Sequence, residues 1–207
     1  MKEKVNVYFT KEITPESLVK IYEAVGYELP GKVGVKISTG EPGGHNYLKP
    51  ELIKDIVSLL NGTIIENCTA YGGKRKNLED HLKCVEDHGF TKIADVDILD
   101  SEGEFAIPTI EGCKHLDKDI VGSHLEKYDS LLMLSHFKGH AMGGFGGALK
   151  NMSIGVASTA GKLNIHSAGA QNQEQSYVWS HLPAQDDILE SMAEACSAVM
   201  DYYDKRG

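Results

Sequence analysis

The chain has 207 residues, of which 41% are hydrophobic, 25% charged and 7% aromatic, a balance that suits one globular domain of ordinary size or two small ones and excludes collagen-like repetition and wholesale disorder. Thirty acidic residues against 21 basic ones give a formal net charge of −9, which opposes the phosphate neutralisation that dominates nucleic-acid affinity. No stretch is long and apolar enough for a membrane helix, and Met1-Lys2-Glu3-Lys4 carries no apolar signal run, so the sequence predicts a cytoplasmic chain without a membrane or nucleic-acid partner.

In chain order, residues 4–10 alternate apolar and polar positions and predict a strand, after which Thr14-Pro15-Glu16 supplies a cap, an N1 proline and an acid for a helix. Residues 32–39 read as a second strand. Lys49-Pro50-Glu51 opens another helix, which Asn61-Gly62 ends, and residues 63–69 read as a third strand. Asn77 caps a helix to about His88, and Asp95 to Leu99 is strand-like. Residues 104–110 suggest a strand or hairpin, and the apolar run 130–135 suits a strand buried on both faces. A surface loop is expected between Ala168 and Ala184, then an amphipathic helix from Asp186 to about Lys205. This βαβα rhythm predicts a three-layer α/β domain with a mainly parallel sheet. Cys68, Cys84, Cys113 and Cys196 form no C-x-x-C pair and read as buried, reduced thiols.

The segment His136 to His166 carries the chemistry. It packs Gly139, Gly143, Gly144, Gly146 and Gly147 into a short run directly after a predicted strand, where open α/β sheets bind ligands. Neither nucleotide motif is met: Leu149 stands at the third position of the dinucleotide fingerprint, and the phosphate-loop pattern has one residue too many before Lys162. The same segment concentrates His136, Lys138, His140, Lys150, Lys162 and His166, side chains suited to proton transfer, metal ligation and anion binding. Lys74 and Arg75 follow Gly72-Gly73 after another predicted strand. If both turns lie on one sheet edge, they gather positive charge for a small anionic molecule, with Arg75 and Lys138 as its binding residues.

The stretches Ser135 to His140, Gly144 to Asn151 and Gly161 to His166 resemble the family catalogued as domain of unknown function 362, many of whose members carry an iron–sulfur cysteine insert. That insert is absent after His166, so no iron–sulfur cluster is expected within this chain, which reads as the N-terminal portion of a longer family product. A more distant resemblance is to the nickel-pincer lactate racemases. His140, Gly144-Phe145, Gly147, Lys150, Gly155-Val156-Ala157-Ser158 and His166 fall at that family's offsets, ten residues from His140 to Lys150 and sixteen on to His166. The resemblance implies an acid/base role for His140, a cofactor tether at Lys150 beside Gly144, Gly146 and Gly147, and a nickel ligand at His166, with His140 and His136 as further ligand candidates. Lys74 stands where that family has its second acid/base histidine, and an ordinary lysine, with a pKa of about 10.4, is a poor base near neutrality. Two function classes stay open: a metal- or cofactor-dependent, racemase-like enzyme moving a proton on a small anion, and a non-catalytic metal- or iron–sulfur-associated module serving a redox partner or a further C-terminal region.

Overall fold

A computed structural model describes residues 5–206. Four strands build the central sheet: β1 (Val33–Lys36), β2 (Thr63–Glu66), β3 (Val96–Ile98) and β6 (Ser130–Met133), in the order β3-β2-β1-β6 with every pairing parallel. Helices cover both faces because side chains alternate along each strand. Val33, Val35, Ile64 and Leu132 pack into a core with α1 (Pro15–Val25), α2 (Pro50–Leu59) and α3 (Leu78–Asp87). Ile65, Leu131 and Met133 face a second core that includes Val199 of α7 (Gln185–Asp204). The result is the three-layer α/β domain the sequence predicts.

Local signals set the element ends. Thr14 accepts from the Ser17 N–H while Ser17 answers with its hydroxyl, a capping box ahead of Pro15. Asn77 caps α3 through the Asp80 N–H. Beyond the sheet, β4 (Glu104–Pro108) and β5 (Lys118–Gly122) form an antiparallel hairpin against which α5 (Thr159–His166) and α7 pack. The contact with α5 is made possible by Gly161, where an added Cβ would lie 1.9 Å from the Ile120 carbonyl oxygen.

Three expectations need correction. Residues 5–10 form no strand; Lys4 lies outside the described residues. Val5, Val7 and Phe9 are 87%, 90% and 83% exposed, because the period-two pattern finds no neighbouring strand among the described residues to pair with. The expected loop at 168–184 contains a short helix, α6 (Gln175–Ser180), anchored by buried Val178 and by Trp179 Nε1 donating to the Ala70 carbonyl at 3.1 Å. Finally, all four cysteines are free, but Cys113 is only partly buried. No helix among the described residues is long and apolar enough to cross a membrane.

Candidate functional site

The chain runs β1, β2, β3 in one direction across the sheet and then returns to place β6 on the other side of β1. That reversal leaves a crevice between the carboxyl ends of β1 and β6, the place where open α/β sheets bind ligands. A cleft of about 420 Å³ opens there, within the range of small-molecule sites. Lys36 and Ser38 follow from β1, Glu66, Asn67 and Thr69 from β2, and Ser135 and His136 from β6.

One wall is the hairpin of β7 (Lys138–His140) and β8 (Gly144–Gly146) with the helix that follows, α4 (Ala148–Ser153). Its register explains the glycine density: Lys138 lies opposite Gly146, Phe145 opposite Gly139 and His140 opposite Gly144, so each bulky side chain faces a residue without one. Lys138 and His140, two residues apart, line the cleft. Gly146 is spare for a second reason, since a Cβ there would sit 3.7 Å from Lys138 Cγ and 3.8 Å from Lys150 Cδ, between two lysine stems.

Two histidines are held in opposite tautomers. His140 Nδ1 accepts from the Met142 and Gly143 N–H groups at 3.2 and 3.0 Å; an acceptor carries no proton, so the neutral ring keeps its proton on Nε2. His166 Nδ1 lies 2.6 Å from the Lys162 carbonyl oxygen, which can only accept, so Nδ1 carries the proton and Nε2 presents its lone pair. Both stay neutral near pH 7. Burial lowers the pKa of His140, with help from Lys150 and Lys138. Burial pushes His166 down to about 4, against the raising effect of its backbone hydrogen bond and with help from Lys150, Lys162 and His140. Trp179 packs against the His166 ring, with centroids 4.9 Å apart.

The four lysines of the cleft divide into two kinds. Lys36 Nζ is saturated by Glu66 Oε1 at 2.7 Å, the Ile37 carbonyl at 2.7 Å and Asn151 Oδ1 at 3.1 Å, and Lys162 Nζ donates to the Ala157 carbonyl. Lys138 and Lys150 have no hydrogen-bond or ion-pair partner for Nζ among the described residues. Burial, then Lys138 and Lys36, bring the Lys150 pKa down to about 8.

Of the residues singled out from sequence, His136, Lys138, His140, Gly146, Gly147, Lys150, His166 and Arg75 all line this one cleft. Lys74 and Gly144 do not. Lys74 is exposed on a short turn, and the neighbouring Arg75 is the member of that pair that turns inward and is buried. Its guanidinium is already engaged by Glu41, by Glu66 at 3.4 Å and by the Tyr71 hydroxyl at 3.0 Å, so it braces the cleft floor. Among the described residues no three His, Cys, Asp or Glu side chains are placed to hold one ion. Sequence reading missed Lys36, Glu66, Asn67, Asn151 and Trp179. The available signal was a charged residue at the carboxyl end of each of two otherwise uncharged strands, Lys36 in β1 and Glu66 in β2.

A family model described as Domain of unknown function (DUF362) matches residues 33–204, which spans every strand of the central sheet and the whole cleft. Neither the curated proteins nor the solved structures give a match to the chain.

Proposed function

The chain belongs to the DUF362 family, and from the opposite tautomers of the two cleft histidines we propose that it moves a proton on a small anionic substrate. Lys138 and Lys150, unpaired among the described residues at the carboxyl edge of the sheet, attract and hold the anion. His166, with the Nε2 lone pair, is the base that takes the proton; His140, a neutral ring with its proton on Nε2, donates a hydrogen bond to the oxyanion that develops on the substrate. A base whose pKa is near 4 when the cleft is empty of anion is weak, and its depression comes in part from Lys150. A bound anion offsets that positive charge and raises His166 toward the working range.

The resemblance to nickel-pincer lactate racemases supports a catalytic His140; Lys74, which stands where that family has its second acid/base histidine, lies off the cleft and takes no part here. A nickel centre shared by His136, His140 and His166 does not fit these tautomers. His140 turns a protonated nitrogen outward, leaving His166 as the ring with both a lone pair and a locked orientation. No step here depends on a metal.

Deuterium exchange tests the reading. Lactate, malate and alanine are incubated with the protein in deuterated buffer and their Cα protons followed by NMR. Exchange above the buffer rate, lost in both His140→Gln and His166→Gln, is expected for at least one of them. Exchange that survives both substitutions would remove the assigned roles.

A further inference from the structure

We propose that Lys150 is a carbonyl-reactive amine, which forms an imine with a short 2-oxo acid whose carboxylate is held by Lys138. The inference rests on the reading of the cleft as an anion site and adds a covalent step to it. Its geometric basis is the pairing of two lysines with unequal surroundings. Their stems run on either side of Gly146, so their ammonium groups enter one space, yet Lys138 is exposed and Lys150 is half buried. Neither has an acceptor or a carboxylate at its Nζ among the described residues, whereas Lys36 has Glu66 and two carbonyl-type oxygens. The outer lysine therefore suits the charged end of a substrate and the inner one its uncharged electrophile.

An amine is a nucleophile only when unprotonated, and a desolvated lysine beside another cation is the arrangement that favours that form. Lys150 meets both conditions, since burial and the Lys138 and Lys36 charges bring its pKa to about 8, leaving a useful neutral fraction near neutrality. In the step, the Nζ lone pair attacks the carbonyl carbon and the C–O π bond opens onto oxygen. The His166 Nε2 lone pair takes one Nζ proton and passes it to that oxygen, while His140 Nε2–H steadies the oxygen with a hydrogen bond. The second Nζ proton follows by the same route as the C–O bond breaks, so the oxygen leaves as water, both histidines end as they began and the only products are the imine and water.

Reductive trapping reads this out. The protein is incubated with pyruvate and sodium cyanoborohydride, which delivers hydride to an imine carbon, and the intact mass and proteolytic peptides are measured. One N-(1-carboxyethyl) group per chain, mapped to Lys150 and absent from Lys150→Arg, is expected. Lactate, which has the carboxylate but no carbonyl, should slow the labelling. Lys138→Ala removes an exposed side chain, so folding is not at stake, and should slow it about ten-fold. Labelling spread over surface lysines, or equal labelling of Lys150→Arg, would overturn the proposal. Calorimetric binding of lactate without any pyruvate adduct would sink the imine and leave the anion site standing. Binding of neither compound would remove both.

Discussion

Lys36 of β1 and Glu66 of β2 face each other across adjacent parallel strands at the floor of the cleft, Nζ to Oε1 2.7 Å, with side chains only 1% and 6% exposed. Burial works against both charges, but Lys36, Arg75 and His81 outweigh it at Glu66 and hold that carboxyl at about 2. The carboxylate also accepts from the Thr39 N–H at 3.0 Å and the Asn67 N–H at 3.3 Å, so it ties the ends of two strands to the loops that shape the cleft. Glu66→Gln leaves the buried Lys36 without its carboxylate, while Arg75 keeps Glu41, and should cost about 3–5 kcal/mol. Chemical denaturation measures it. Because the folded pKa is depressed, the stabilisation is complete above the unfolded value of about 4.3 and is lost as pH falls toward 2. The wild type and Glu66→Gln should therefore converge in acid.

His124 behaves in the opposite sense. Its Nδ1 is 2.7 Å from Asp97 and its Nε2 lies 2.9 Å from Glu102, off the direction of a good hydrogen bond. Burial lowers its pKa, but the two carboxylates overcome this and the net shift is upward. The resulting stabilisation is complete below the unfolded pKa of about 6.5 and disappears as pH rises through the folded value. The difference in urea midpoint between wild type and His124→Gln should be largest near pH 5.5 and shrink above neutrality. A constant difference would mean that packing, not charge, is what His124 supplies.

Gly161→Ala pushes a methyl group into the Ile120 carbonyl, 1.9 Å from the ideal Cβ position, and both partners are backbone or helix-bound. The substitution should destabilise by about 1–3 kcal/mol through separation of α5 from β5, and should move His166 with the helix. Equal urea midpoints for the two proteins would contradict that contact.

Anion binding should be coupled to protons. Lys150 is partly neutral near pH 8.5 because its pKa is held at about 8 by burial and by Lys138 and Lys36. A bound carboxylate favours the charged form, so binding takes up protons there. Calorimetry of acetate binding in buffers of different ionisation enthalpy should show this uptake, and Lys150→Met should abolish it.

Much of this architecture was legible in the chain. The Thr14-Pro15 and Asn77 caps, the apolar run at Leu131 to Met133 and the glycine-dense segment each act through neighbours close in sequence. What was not legible depends on partners far apart. The alternation at Val5 to Phe9 reads as a strand, but a strand also needs a neighbour, and none of the described residues supplies one. Lys74 and Arg75 are adjacent in sequence and chemically alike, yet one faces solvent and the other is drawn inward by Glu66, which comes from the preceding strand. The histidine tautomers depend on backbone groups of Met142, Gly143 and Lys162, which only a folded loop and helix can place.

The proton-transfer reading stands or falls on those tautomers. Long-range nitrogen–proton NMR of protein labelled with 15N-histidine, recorded near pH 7, distinguishes protonated from unprotonated ring nitrogens directly. His140 should show a protonated Nε2 and a bare Nδ1, and His166 the reverse, with both rings neutral. The same tautomer in both rings, or an imidazolium at either position, would contradict the assignment of hydrogen-bond donor and base.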